Sequence, residues 1–284
     1  EANHYQATYI ESTDPSEGVW GLGVELSADY AISITRYWGS GLEESDGNEA
    51  GPNIEWDNWG LFLWAFAEYA LQTGDTALAE AWWDVATTRV ADVLLDLVDS
   101  ANGLLVPDSS IWERHWCPHG ACDEPETRKQ HAYSSIVGSL GLARLAEVAQ
   151  VMGFGGDAAM YEDAAGALGQ AIRDTLVTTP GATGQPALAG NLEEMPFEPW
   201  YLDLAVVEAI ETGVVHPGSR TAFGTFAAFD QWLRIGPHSP GYVRNDDPTW
   251  YDGQEWVVVD LRAASALTRM GQLGAARTLV DWVT

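Results

Sequence analysis

Lysine and cysteine are nearly absent from this chain, and long apolar runs are missing altogether. Lys129 is the sole lysine among 13 basic residues, set against 42 acidic ones in 284, which leaves a net charge of −29. That charge repels polyphosphates and anionic membranes, and no Lys/Arg-rich run overrides it. Nucleic acid is not an expected partner. An acidic excess of this kind suits a protein kept soluble by surface carboxylates. The longest apolar run, 61–67, ends at Glu68, far short of the roughly 20 residues a membrane helix needs. No membrane association is expected. No basic segment followed by an apolar one opens the chain, so either an export signal has been removed or the chain is an excised segment. What is abundant is aromatic: 14 Trp and 10 Tyr, within a 46% apolar composition that fits a packed globular domain. Flat rings beside carboxylates are what a sugar-binding cleft uses, and an aromatic core is the alternative account of the same residues.

Helical periodicity recurs in pairs. Apolar residues at helical spacing predict helices over 59–73 and 76–98, with Gly74 as the stop between them and Asp75 opening the second. The couple returns as 133–152 with 158–176, 198–212 with 219–233, and 254–270 with 272–284. Four helical hairpins result, following an irregular segment over 1–50 in a single domain, 1–284. The aromatic heads of the first helices, Trp59, Tyr133, Trp200 and Trp256, lie 74, 67 and 56 residues apart, each after a Gly-, Pro- and Asp-rich loop. Brief extended pieces are expected at 104–106 and 241–243. The fold class is therefore read as all-α, with helix pairs laid side by side and the loops before each inner helix gathered at one end, where chemistry would sit.

The densest candidate for chemistry is Pro107-Asp108-Ser109-Ser110-Ile111-Trp112-Glu113-Arg114. A carboxylate beside a large indole loses water, its charged form is disfavoured, and its pKa rises toward that of a general acid. Glu113 is thus a candidate proton donor; the bland account is a surface Glu paired with Arg114. Cys117 and Cys122 enclose Pro118-His119-Gly120-Ala121 directly afterwards, and they are the only cysteines in the chain. A local disulfide stiffening this loop is expected if the protein is exported, which places it outside the cytoplasm, extracellular or periplasmic. Zinc on His115, Cys117, His119 and Cys122 is the weaker alternative, because so crowded a spacing does not match paired ligands. The Asp-, Asn- and Gly-rich stretches 45–53 and 245–252 lack the spacing of a calcium loop, so no metal or cofactor is expected. The Pro-punctuated loop bearing Glu193, Glu194 and Glu198 reads equally as a cleft wall or a solvated surface, and His131 as a sugar contact or a loop cap.

Three stretches carry a resemblance. Ser110-Ile111-Trp112-Glu113, followed by a Tyr133-Ser134 helix start, is similar to the Trp-Glu segment of the glucoamylase family, glycoside hydrolase family fifteen. Glu55-Trp56-Asp57-Asn58-Trp59-Gly60 resembles that family's Asp-bearing start of an inner helix. Gly241-Tyr242-Val243-Arg244-Asn245-Asp246-Asp247, with Trp250-Tyr251-Asp252-Gly253-Gln254-Glu255-Trp256, resembles its sugar-binding Arg segment. The resemblance implies an (α/α)6-barrel toroid and exo-acting, inverting hydrolysis of α-glucosidic bonds from non-reducing ends of an α-glucan or oligosaccharide. It implies Glu113 as the general acid and Arg244 as a sugar-hydroxyl clamp. Asp57, Trp59, Trp112, Asp247 and Trp256 become parts of the cleft. Arg114 stands where many members have a second Glu contacting the leaving-group sugar.

An inverting enzyme also needs a carboxylate base roughly 6.5–9.5 Å from the acid on the opposite face of the sugar. The family's base lies beyond the equivalent of the last helix here, and its first hairpin has no counterpart in 1–50. The toroid is expected to be incomplete at both ends, with four hairpins of six. Glu255, heading the last inner helix, is the candidate substitute base. Uncovered helix faces at both sides predict self-association or contact with missing segments. The competing reading is a glycan-binding or structural helical module without turnover, or a truncated enzyme.

Overall fold

The computed structural model describes residues 55–108, 110–112, 129–195, 202–246 and 253–284. They are mostly helical, with two short two-stranded sheets, and the chain divides into two compact units, Glu1–Gly169 and Gln170–Thr284.

In the first unit, α1 (Asp57–Thr73) ends at Gly74, whose φ of +69° is the left-handed turn that a glycine adopts at no steric cost. Asp75 then accepts a hydrogen bond from the Leu78 amide at 3.0 Å and starts α2 (Thr76–Ala86). The periodicity predicts one helix over 76–98. Instead a π turn, Thr87–Ala91, separates α2 from α3 (Asp92–Asp96), and Val98 pairs in extended form with Leu105. The Thr87 and Thr88 hydroxyls donate back to the carbonyls of Trp83 and Asp84, at 2.9 and 2.7 Å, competing with the regular ladder. The extra residue of a π turn shifts the helical phase, and Val93, Leu94 and Leu97 all reach the core. Beyond the loop, α4 (Ala132–Met152) is long and apolar enough to cross a bilayer by length and composition alone, yet most of it is buried inside the structure, as in a core helix.

The contact between α1 and α4 is made of glycine. A Cβ on Gly60 would stand 2.4 Å from the Val137 carbonyl oxygen, and one on Gly141 would stand 2.5 Å from the Gly60 oxygen. Backbone meets backbone there, and side chains on either side close into a core that includes Trp56, Trp59, Leu63, Leu142, Leu145 and Tyr161. Each such buried side chain contributes about 1.5–3 kcal/mol. Gly141→Ala is expected to force the helices apart and lower stability by about 1–3 kcal/mol or more in urea unfolding. An unchanged midpoint would mean that the two helices do not meet at this glycine.

α5 (Gly155–Thr175) follows, and the unit boundary falls within it. In the second unit, β1 (Val177–Thr178) and β2 (Ala187–Leu188) form a small antiparallel pair. The periodicity predicts a third inner helix over 198–212. Among the described residues this is corrected to a 3-10 turn, Leu204–Val207, and a single α-turn, α6 (Glu208–Glu211). The reason is tertiary: Leu204 donates its amide to the Arg244 carbonyl at 2.9 Å, and Asp246 donates to that of Leu202 at 3.2 Å, so 202–204 is drawn into strand-like pairing.

Ser219 caps α7 (Arg220–Trp232), which packs on β2 and takes the Leu188 amide on the Thr225 hydroxyl at 3.0 Å. β3 (Arg234–Gly236) and β4 (Ser239–Tyr242) form the second sheet. β4 and the bridge at Leu105 fall where extended pieces are expected; β1, β2 and β3 are not legible in the sequence. The last inner helix is shorter than its periodicity predicts, because Glu255 pairs in extended form with Val243. Thus α8 runs Val257–Arg269, and it packs against α9 (Leu273–Val283). Several apolar side chains of α8 and α9 stay exposed, Leu273 the most at 63%.

Candidate active site

The residues singled out from the sequence fall in two places, one in each unit. In the first unit they gather at the starts of α1 and α4. Asp108 ties the two: its Oδ2 accepts from the Trp56 amide at 2.9 Å and from the Ser134 hydroxyl at 2.6 Å. The Trp56 indole donates to the Pro107 carbonyl at 3.2 Å, and the Asp108 amide to that of Lys129 at 3.2 Å. One buried carboxyl therefore holds both helix heads against the loop that leads to Trp112. Asp57, next in sequence to Trp56, is itself buried at 2% exposure. Burial pushes the Asp108 carboxyl well above the ordinary carboxylate range, and the neighbouring Asp57 charge adds to the rise.

Ser110 has a φ of +54°, in the left-handed region that non-glycine residues seldom enter, and its side chain is buried. Strain of this kind persists only where the surroundings over-determine the backbone. Two residues on, Trp112 is half-buried. Glu113, Arg114, Cys117 and Cys122 lie outside the described residues. Trp59 belongs to the core at 4% exposure, edge-on to Trp56 at 5.3 Å between ring centroids. His131, also buried, precedes the first turn of α4. Asp108 is the residue that sequence reasoning missed. It stands inside the quoted Pro107-to-Arg114 stretch, but no spacing rule says that it faces Ser134, 26 residues away.

In the second unit the residues gather around the start of α8. The Arg244 guanidinium lies over the Trp256 ring, 5.0 Å from its centroid, and Arg244 is buried at 8% exposure. A cation so placed is held by the ring quadrupole with its donors fixed in direction. Its backbone is anchored by the Leu204 amide. Glu255, the candidate base, accepts on Oε1 from the Ser239 hydroxyl at 2.8 Å and from the Trp282 indole at 2.5 Å. Asp260, fully buried one turn into α8, accepts the Tyr242 amide at 3.0 Å. Burial, and then the adjacent Glu255, push the Asp260 carboxyl up to about 7. Asp247, Glu198 and Asp252 lie outside the described residues. Glu194 is turned onto its own loop, taking the Asn191 amide group at 2.5 Å. Among the described residues no group of three His, Cys, Asp or Glu side chains converges to hold a metal ion.

Comparison with known proteins yields structures and not sequences. No family profile matches the chain, and no curated protein matches it. A solved glycosidase carrying alanine in place of a glutamate is similar to it with a TM-score of 0.66 at 18% identity, over 99% of this chain and 62% of that one. A second glycosidase variant, in complex with glucose, gives 0.63 at 19% identity, over 84% and 56%. A bacterial glucoamylase complexed with acarbose gives 0.55 at 12% identity, over 87% and 37%. The fold is an all-α helical toroid. The chain spans between 56% and 62% of the length of these two glycosidase chains. At such identities the likeness speaks for fold alone, and function has to be argued from the residues.

Proposed function

We propose that this chain is the helical-toroid domain of a glycoside hydrolase that removes glucose from the non-reducing ends of α-glucosides with inversion. The observation that carries the reading is the Asp108 tie. It joins the Asp57-bearing head of α1 and the head of α4 to the loop whose next residues are the Trp112-Glu113 pair. The fold shared with solved glycosidases supports it, as does the buried Arg244–Trp256 stack.

In this reading Glu113 protonates the glycosidic oxygen as the bond to the anomeric carbon breaks, and Trp112 keeps water from its carboxyl so that the acid stays protonated. A carboxylate on the opposite face takes the proton of the attacking water, and inversion follows from that geometry. Arg244 serves as a sugar-hydroxyl partner. The guanidinium presents a planar fork of donors, which suits adjacent hydroxyls.

The test is incubation of this chain with maltooligosaccharides, following the released anomer by proton NMR. Early release of β-glucose is expected. Retention of the α-anomer would remove the inverting mechanism, and saturable binding without any product would favour a glycan-binding module.

A further inference from the structure

The segment 239–244, which ends at the proposed sugar-binding arginine, is fastened through two carboxyl groups, Glu255 just before α8 and Asp260 within it. Gly241 donates its amide to the Ser239 hydroxyl at 2.9 Å, Tyr242 donates to Asp260 Oδ1 at 3.0 Å, and Val243 donates to the Leu233 carbonyl at 2.9 Å. Gly241 is crowded from the helix side. A Cβ there would stand 2.1 Å from Glu255 Oε1 and 2.6 Å from Asp260 Oδ2, so both carboxyls close over one glycine. Asp260 Oδ2 is buried and takes no donor from any other group. Ionised carboxylates only accept, so two carboxyl oxygens closed over one glycine can satisfy each other only through a shared proton. Two like charges at such range cannot both persist in a dry site.

The charged groups around the pair do not replace that proton. From β3, Arg234 acts on Asp260, but it is engaged by Asp230 of α7 at 2.9 Å and lies over the Tyr242 ring at 4.4 Å. Asp230 also accepts the Tyr242 hydroxyl at 2.8 Å. His238, in the turn between β3 and β4, is exposed. On α6, Glu208 and Glu211 face Arg262 and Arg269. From α9, the neutral Trp282 indole reaches Glu255, while Arg277 and Asp281 pair with each other.

We propose that Glu255 and Asp260 hold a single proton between them and act as a positioning pair, fixing segment 239–244 and so the Arg244 guanidinium over Trp256 for sugar binding. The proposal rests on the glycoside hydrolase reading only for what Arg244 does. It gives Glu255 a role other than attacking-water base, because its Oε1 already serves two donors and its partner carboxyl shares its proton. When that proton leaves, two anions face each other across Gly241, the anchor of Tyr242 loosens, and Arg244 loses its fixed direction. Substrate affinity falls as this proton is lost, the Asp260 carboxyl being pushed up to about 7.

The experiment follows the Trp282 indole N–H by nitrogen-15 NMR across pH 5–9, its signal assigned by its loss in Trp282→Phe, alongside KM for maltotriose at each pH. One inflection near pH 7 is expected in the wild type, with KM rising about tenfold between pH 6 and 8 as the pair ionises. Asp260→Asn keeps an acceptor for Tyr242 and offers an N–H to Glu255 at every pH. It is expected to abolish the inflection and flatten KM, and Glu255→Gln to do the same from the other side. No inflection in the wild type, or one that persists in both amide variants, overturns the shared proton. An inflection that KM ignores overturns the positioning role. If no glycoside is bound or cleaved, the hydrolase reading fails by itself, and the indole titration still decides the pair.

Discussion

Replacing Glu113 with Gln is expected to lower kcat/KM on maltotriose by about 100- to 10,000-fold, the range that a positioned general acid contributes. On α-glucosyl fluoride the same variant is expected to lose less than about tenfold. The difference lies in the leaving group. A sugar oxygen departs as a costly alkoxide unless it is protonated in the transition state, whereas fluoride departs without a proton. A variant that merely misfolds would lose both substrates together, so the pair of measurements separates chemistry from structure. Wild-type-like glucose release from maltotriose would remove Glu113 from the acid's role. The structural ground for expecting a precise site is local: the buried, left-handed Ser110 and the Asp108 tie lie three and five residues before Glu113.

Asp108 is expected to give opposite results with two replacements. Asp108→Asn retains an oxygen for the Trp56 amide and the Ser134 hydroxyl, and it carries no charge at any pH. Because burial holds the Asp108 carboxyl well above its ordinary value, the native state binds more protons than the unfolded chain once pH exceeds that ordinary value. Stability then falls as pH rises from there through the folded-state pKa, and is level above it. The Asn variant has no such loss. It is expected to match the wild type near pH 4 and to exceed it at pH 8. Asp108→Ala instead leaves two buried donors without their acceptor and is expected to cost about 2–4 kcal/mol at either pH. Urea unfolding at the two pH values checks both. An Asn variant no more stable than wild type at pH 8 would mean that Asp108 is ionised and well solvated in the native state. An Ala variant of unchanged stability would mean that the tie between the helix heads carries no weight.

Much of the helical framework was legible before any coordinates. The stop of α1 and the start of α2 follow from Gly74 and Asp75, and the spans of α4, α5, α7 and α9 from apolar spacing, because these signals are local and act within one or two turns. The all-α class followed from the same repetition. The aromatic heads were legible only as positions. Composition alone left the aromatic residues open between cleft and core, and the resemblance put Trp59 in the cleft; Trp59 and Tyr133 are both buried here.

Tertiary structure decided what local pattern could not. Residues 202–203 and 255–256 sit in helical periodicities yet run extended, because distant partners, 244–246 and Val243, satisfy their backbone groups better than another turn of helix would. The same holds for charge. Nothing in the sequence marks Asp108 or Asp260 among 42 acidic residues. What raises their pKa is the loss of water and the approach of Asp57 and Glu255, and both arise only when helix and loop close together. The sequence by itself determined where helices form and which residue types are present for sugar chemistry. Which carboxyls lose their solvent, and so which of them hold a proton near neutrality, was decided by packing, since desolvation is a property of the surroundings and not of the residue.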